Sequence, residues 1–218
     1  MSTAIALPRH KLSVTDYHQM IATGILTGED RVELIDGDLI EMAPAGPEHA
    51  DFVAYLGRIL RTQTVLLVRE EKPVTLPEHS EPRPDIALVK PRRYLEAHPY
   101  PEDVLMIIEV ADTSLDKDKS VKVPLYARFW IPEVWIVDVQ GGTVESFWEP
   151  WVTAEFAQYA HSKRVERDVI TSETIPGKYL ASMSFGKVVR LDVGLDSHIM
   201  WFLADVCGLF ANKVVSRS

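Results

Sequence analysis

Two carboxylates stand in otherwise apolar stretches of this sequence, where they suggest chemistry. Asp85 follows Pro84 at the start of the run DIALV, and Glu109 lies near the end of the run VLMIIEV. Burial of an unpaired carboxylate is costly, so such groups are usually paired or bound to a metal ion. If the two strands are neighbours, these side chains converge at one edge of a sheet. Oxygen ligands there would favour Mg²⁺, Mn²⁺ or Ca²⁺ over zinc.

A lysine follows Glu109 closely enough to complete such a site. If the segment after Glu109 is helical, Asp118, Lys122 and Tyr126 lie four residues apart on one helical face. A lysine can position or help deprotonate an attacking water and can stabilise negative charge that develops on a phosphate. Carboxylates, a metal ion and a lysine together suit hydrolysis of a phosphodiester by metal-activated water.

Each of these residues also has a simpler structural interpretation. An aspartate at a strand end is commonly a turn or cap residue, and a glutamate in a strand commonly lies at an exposed edge or in an ion pair. The segment DKDKSVK, taken alone, is typical of a solvated helix start. Charged residues in a core therefore suggest a functional site without establishing catalysis.

The elements that must position these residues alternate between helix and strand patterns. Apolar spacing predicts a first helix with Val14, Tyr17, Ile21 and Ile25 on one side and Ser13 as its cap. The later patterns predict, in order, a hairpin turning at Asp36-Gly37, a helix over GPEHADFVAYLGRILRTQ, strands in TVLLVREE, RPDIALVK and DVLMIIEVAD, a helix around Asp116 to Phe129, and a hairpin through EVWIVDV and TVESFWEP. This order predicts an α/β fold with a mixed central sheet and helices on its faces.

Length and composition bound the class of protein. The chain has 218 residues and a formal net charge of -9, which argues against a general nucleic-acid coat protein although not against an enzyme with an acidic metal site. The single cysteine, Cys207, excludes an intramolecular disulfide and a cysteine-based metal cluster. No signal peptide and no membrane span is visible, so we expect a cytoplasmic protein with no membrane association. We expect one domain over residues 1–195 and an apolar helical tail over residues 196–218.

Several blocks of the sequence, in their order, resemble a known nuclease family. PDIALV, followed after a spacer by IIEV, is similar to the signature of the PD-(D/E)XK nuclease superfamily. The blocks VELIDGDLIEM, GPEHADFVAYLGRIL and the segment from Met106 to Val139 extend the likeness to the restriction endonuclease branch, formerly classified as a domain of unknown function. The resemblance implies a restriction-endonuclease-like fold, with a mixed central β-sheet flanked by helices and extra β-hairpins. It also implies nuclease chemistry that depends on Mg²⁺, for which Mn²⁺ would substitute.

The resemblance further implies roles for individual residues. Asp85 and Glu109 would be the metal ligands, Glu33 an additional acidic residue of the site, and Lys122 the catalytic lysine. His49 matches a position where the family often has histidine, and it would contact phosphate or a bound water, although a helix-surface histidine is as simple an interpretation. The residues expected to support the site from close by are His49, Asp112 and Tyr126.

This sequence departs from the superfamily pattern after Glu109. The position two residues on is Ala111, so the lysine must come from Lys122, and Asp112 stands where many relatives have serine. Pro124 is tolerated in a first helical turn but disrupts an interior one. We therefore expect the helix either to begin near Lys122 or to be kinked there.

The cluster KPRRY is the clearest basic segment near these residues. Arg92 and Arg93 are candidate contacts to a phosphate backbone, although a solvated loop explains them as simply. The resemblance implies a nucleic-acid substrate, for which we expect DNA. Because cutting both strands needs two sites, a homodimer is a reasonable expectation.

Two other functions remain open on sequence grounds. The net charge, the missing E-x-K lysine and the scarcity of basic clusters suit a catalytically inactive protein that keeps a nuclease fold for interaction. A metal-dependent hydrolase of a smaller phosphodiester would use the same residues.

Overall fold

A mixed β-sheet with helices on both faces forms the centre of the molecule. The computed structural model describes residues 9–166, 169–170, 172–175 and 183–184. The helices are α1 Val14–Ala22, α2 Pro47–Gln63, α3 Leu115–Lys117 and α4 Val123–Arg128, with a 3-10 turn at Pro101–Asp103 and a π-helical turn at Asp118–Lys122. The strands are β1 Val32–Ile35, β2 Asp38–Glu41, β3 Leu67–Glu70, β4 Ile86–Val89, β5 Val104–Ala111, β6 Glu133–Asp138, β7 Thr143–Val152, β8 Ala157–Glu166, β9 Val169–Ile170 and β10 Met183–Ser184.

The central sheet runs in the order β3-β4-β5-β6-β7-β8. Strands β5 and β6 are parallel, and every other neighbouring pair in this sheet is antiparallel. Parallel neighbours need a long crossover. The helical segment from α3 to α4 supplies it and therefore lies directly after the strand that carries Glu109.

Strand β5 is covered on both faces, as its nearly continuous apolar sequence predicts. Met106, Ile108 and Val110 pack in one core cluster with buried residues of α2. Ile107 and Ala111 pack in a second cluster with buried residues of α4. Because side chains alternate along a strand, Glu109 points to the α4 face.

Strands β4 and β5 place Asp85 beside Glu109. Ile86 pairs with Ile108 in their antiparallel register. Asp85, one residue before Ile86, therefore lies opposite Glu109, one residue after Ile108. Residues opposite each other in an antiparallel pair project to the same face, so the predicted convergence of the two strands is present.

The N-terminal hairpin forms where the sequence predicts it. Asp36 and Gly37 have φ values of 49° and 77°, so both central residues of the turn between β1 and β2 are left-handed, as in the tight turns that favour this dipeptide. The hairpin sets Glu33 of β1 in the interior, where it is fully buried.

The prediction for the first helix was wrong in part. Ser13 caps α1 through a capping box with Asp16, as expected. The helix ends at Ala22, however, and Gly24 follows with a φ of 77°. Ile25 therefore lies outside the helix and is 67% exposed, and Ile21 is 47% exposed, which leaves Tyr17 as the buried residue of α1.

The predicted C-terminal tail, residues 196–218, lies outside the described residues, as does the boundary at residue 195. Across the described part of the chain, no helix is both long enough and apolar enough to cross a membrane.

Candidate active site

Glu109 lies at the centre of a buried polar cluster. Its side chain comes from the second half of β5 and is almost inaccessible to solvent. The Tyr126 hydroxyl donates a hydrogen bond of 2.6 Å to Glu109 Oε1, and the Lys122 ammonium lies 3.2 Å from each carboxylate oxygen. Lys122 and Tyr126 thus act on the same carboxylate, as their four-residue spacing on a helix permits.

The helical segment after β5 turns Lys122 inward. Pro124 has no N–H to donate and its ring clashes with the carbonyl four residues earlier. The π-helical turn at Asp118–Lys122 precedes this proline, and α4 continues from Val123. The expected irregularity is thus a widened helical turn just before Pro124, in which Lys122 is buried and directed at Glu109.

Further acidic groups surround the Lys122 ammonium. Glu33 Oε2 lies at 3.6 Å and Asp118 Oδ1 at 3.9 Å from its nitrogen. Glu33 is held in turn by Lys117 Nζ at 2.9 Å and by the backbone N–H of Arg83 at 3.2 Å. β1, β5 and the crossover helix therefore meet at one buried ionic network.

Asp85 occupies the more open side of the same cavity. Its Oδ2 accepts a 2.7 Å hydrogen bond from the Val110 N–H, which fixes the carboxylate against β5. His49 Nε2, near the start of α2, lies 3.2 Å from Asp85 Oδ1, while His49 Nδ1 is buried without a hydrogen-bond partner among the described residues. One carboxylate oxygen of Asp85 thus bonds to the backbone of β5, and the other faces the cavity beside the His49 imidazole.

Burial and neighbouring charges shift the pKa values of these groups. Burial raises the pKa of Glu109 to about 8, with Asp85 and Asp118 adding to the rise and Lys122 opposing it. Burial alone would lower the pKa of the Lys122 ammonium, but Glu109, Glu33 and Asp118 outweigh it and raise that pKa. Lys122 is therefore a cation at neutral pH, and Glu109 exchanges its proton near neutrality.

This raised pKa predicts a pH-dependent stability. Between its ordinary pKa of 4.5 and about 8, Glu109 holds its proton in the folded chain more than in the unfolded chain. Its contribution to folding is present below 4.5 and is lost as the pH rises through about 8, by at most about 1.4 kcal/mol per pH unit. In EDTA, we expect Glu109→Gln to remove this part of the decline, as measured by urea unfolding at several pH values. Parallel stability curves for the wild type and the variant would contradict the assignment.

The site lies in a cavity of about 90 Å³ that has a surplus of negative charge. Six carboxylates and four cations line it, which gives a net charge of −2 when every carboxylate is ionised and His49 is neutral. The carboxylates are those of Glu33, Glu71, Asp85, Glu109, Asp112 and Asp118, and the cations are those of Arg31, Arg83, Lys117 and Lys122.

The donors fit a hard divalent cation in kind and charge, because such ions prefer carboxylate oxygens. Within the described residues, no three histidine, cysteine or acidic side chains already converge as a finished metal centre. The Lys122 ammonium instead lies among Glu33, Glu109 and Asp118. Asp85 and Glu109 are the residues that would hold a cation, and Glu109 would first have to release its proton.

The structure brings together most, but not all, of the residues singled out in the sequence. Glu33, His49, Asp85, Glu109, Asp112 and Lys122 line the cavity, and Tyr126 contacts it through Glu109. Asp112 also accepts a hydrogen bond from Gln140. Arg92 and Arg93 lie outside the cavity, beyond the end of β4 that is opposite to Asp85, and Arg92 is paired with Asp103.

Sequence reasoning did not single out Lys117, Arg83 or Arg31. The run DKDKSVK contains three lysines, of which Lys117 and Lys122 enter the cavity, while Lys119 pairs with Glu145 outside it. A regular helical wheel does not show that Lys119 faces away from Lys117 and Lys122, because the π-helical turn changes the spacing of the side chains. The only sequence feature that could have pointed to Arg83 is its position directly before Pro84 and Asp85.

Comparison with known proteins supports the resemblance seen in the sequence. The family model Uma2, described as "Putative restriction endonuclease", matches residues 14–179, which is most of the chain. The predicted family is thereby confirmed. A search of curated proteins finds no match.

A solved structure shares the fold. It is the crystal structure of "a putative nuclease belonging to DUF820" from Anabaena variabilis, with a TM-score of 0.62 and 11% sequence identity. The match covers 82% of this chain and 97% of that one. At this identity the likeness concerns the fold alone, and it confirms the predicted restriction-endonuclease-like arrangement of a mixed sheet flanked by helices.

Proposed function

This chain belongs to the Uma2 family, described as putative restriction endonucleases, and from that premise we propose that it is an Mg²⁺-dependent endonuclease that hydrolyses phosphodiester bonds in DNA. One observation carries the proposal. Asp85 and Glu109 face one cavity from neighbouring strands, and the Lys122 ammonium lies 3.2 Å from Glu109. This arrangement unites two carboxylates and a fixed cation, which suits phosphodiester hydrolysis by metal-activated water.

Asp85 and Glu109 would hold the metal ion, with Glu33 as an additional acidic group close to Lys122. When bound, Mg²⁺ would act as a Lewis acid on the phosphate and the attacking water, and Mn²⁺ would substitute for it. Ionised Glu109 supplies one of the two negative charges that such a cation needs.

Lys122 acts in this scheme as a hydrogen-bond donor and a fixed positive charge. Because its raised pKa keeps the ammonium protonated, it does not accept a proton from the attacking water at neutral pH. It can donate to a phosphate oxygen or hold that water in line. Tyr126 positions Glu109 by donating to Oε1 and has no accessible surface of its own.

His49 would contact the substrate in this proposal. The hydrogen bond with Asp85 is the main cause of a raised His49 pKa, which burial partly opposes. A protonated His49 would add a further cation to the cavity, beside Asp85. In that protonated form the buried Nδ1–H would be a donor that a phosphate oxygen could satisfy.

The first test is metal removal. The full chain should cleave DNA in Mg²⁺ or Mn²⁺, and EDTA should stop the reaction while added Mg²⁺ restores it. Duplex DNA, single-stranded DNA, RNA and a small chromogenic phosphodiester should be compared in one assay, which separates a nuclease from a hydrolase of small esters. Cleavage that persists in EDTA, or no cleavage of any substrate in either metal, would contradict the proposal.

A further inference from the structure

Three surface cavities follow one another from the candidate active site. Arg83 lines both the catalytic cavity and a second cavity of about 460 Å³. His98 lines both the second cavity and a third of about 330 Å³, which the loop after β4 forms. Shared lining residues make the three cavities neighbours in a row, beginning at Asp85 and ending at the loop that carries Arg93.

Cations without acidic partners mark this row. Among the residues that the structure describes, Arg31, Lys72, Arg83 and Arg93 form no ion pair, and each lines one or two of the three cavities. The Arg83 Nη2 atom donates to the Glu71 carbonyl at 3.4 Å, and its buried Nε has no hydrogen-bond partner among the residues described. The other cations of the row, Lys117 and Lys122 in the first cavity and Arg92 in the third, are paired with carboxylates. In a chain with a net charge of -9, such a row is suited to an anionic polymer.

The second cavity has the volume and the lining of a site for a small organic group. Its volume lies within the range of small-molecule sites, and its walls are largely apolar. Tyr17, Leu26, Val32 and Pro73 line it, with Lys72, Arg83 and His98 supplying donors. Two carboxylates also line its wall, and both already accept hydrogen bonds: Glu81 contacts His18 at 2.9 Å and the Thr75 hydroxyl at 2.7 Å, and Asp30 accepts from the Thr27 N–H at 2.8 Å.

The third cavity combines cations with aromatic rings. Arg69 and Arg92 lie over the Tyr94 ring at 5.5 and 5.0 Å from its centroid, and the neighbouring Arg93 is exposed. Tyr100, 38% exposed, lines the same cavity. Aromatic rings alternating with cations are characteristic of surfaces that bind single-stranded nucleic acid.

We propose that one unpaired strand of the substrate runs from the catalytic cavity past Arg83, places a nucleobase in the second cavity, and reaches Arg93 at the third. This inference rests on the proposed nuclease function and specifies its substrate as DNA with a single-stranded segment beside the scissile phosphate. A duplex would keep its bases stacked and could not fill the second cavity.

The test is binding, measured in EDTA so that cleavage plays no part. Fluorescence anisotropy would compare labelled oligodeoxythymidylates of about 4 and about 16 nucleotides, together with a duplex, on the full chain. We expect the longer single strand to bind about tenfold or more tightly than the shorter strand and than the duplex. Arg83→Gln and Arg93→Gln should each remove much of the extra affinity of the longer single strand. Each should also reduce the slope of log affinity against log salt by about 0.7.

Arg58→Gln is the matched control, because Arg58 also has no acidic partner in the described part of the chain but lies on α2 beside Tyr55 and outside the three cavities. Its affinity and salt slope should equal those of the wild type. Length-independent binding, tighter binding of the duplex, or Arg83 and Arg93 variants that behave like the Arg58 variant would overturn the inference. Length-dependent binding without cleavage in Mg²⁺ would uphold this inference while the proposed nuclease function failed.

Discussion

Asp85→Asn and Glu109→Gln are each expected to lower the rate of DNA cleavage in Mg²⁺ by roughly 10³-fold while the fold persists. Both substitutions keep the shape of the side chain. An asparagine oxygen at position 85 can still accept from the Val110 N–H, and a glutamine oxygen at position 109 can still accept from Tyr126. The loss would therefore come from the charge and not from disrupted packing.

Cleavage rates under saturating substrate, together with circular dichroism of each variant, would check this expectation. Glu133→Gln is the matched control, since Glu133 is a fully buried carboxylate on the neighbouring strand β6. Its carboxylate is bonded to Trp135, Ser172 and Thr174, away from the catalytic cavity. Full activity of the Asp85 and Glu109 variants, or an equal loss in the Glu133 variant, would reject a catalytic role for the pair.

Lys122→Met should have a second large effect, on both cleavage and stability. Removal of the ammonium takes a fixed charge from the phosphate, which we expect to lower the rate by roughly 10²-fold or more. It also leaves Glu109, Glu33 and Asp118 buried without their shared cation. Breaking such a pair costs roughly 3–5 kcal/mol, and the cost should be smaller below about pH 8, where Glu109 holds its proton, than above it.

Two measurements separate the role of Lys122 from that of the carboxylates. Calorimetric titration with Mn²⁺ should show that Lys122→Met still binds the metal ion, whereas Asp85→Asn does not. Lys119→Met is the control on the same helical segment, because Lys119 pairs with Glu145 outside the cavity. If the Lys119 and Lys122 variants cleave equally well, Lys122 has no part in the reaction.

Much of the fold follows from local patterns in the sequence. The Asp36-Gly37 turn, the proline at the first position of α2 and the apolar run of β5 each reflect a backbone preference or a burial requirement that few residues determine. The end of α1 does not, because Gly24 stops the helix before the apolar spacing does. The position of a strand in the sheet also depends on which other strands it pairs with. No single segment of the sequence contains that information.

The residues of the candidate site likewise include some that local sequence patterns predict and some that they do not. Asp85 and Glu109 stand out because carboxylates are rare in apolar strands, and strand pairing then brings them opposite each other. The contact between Lys117 and Glu33 joins residues 84 positions apart, and no local pattern contains it. The direction of Lys122 depends on the π-helical turn before Pro124, whose widening a regular helical repeat does not describe.

Crystals of the full chain soaked in Mn²⁺ at a pH above about 8, where Glu109 is ionised, offer the most direct test of the central claim. An anomalous difference map should show a manganese peak in contact with both Asp85 and Glu109, with the Lys122 ammonium beside it. A map without a peak at these two carboxylates, in which Lys122 still bonds to Glu109, would contradict the assignment of this cavity as a metal-dependent nuclease site.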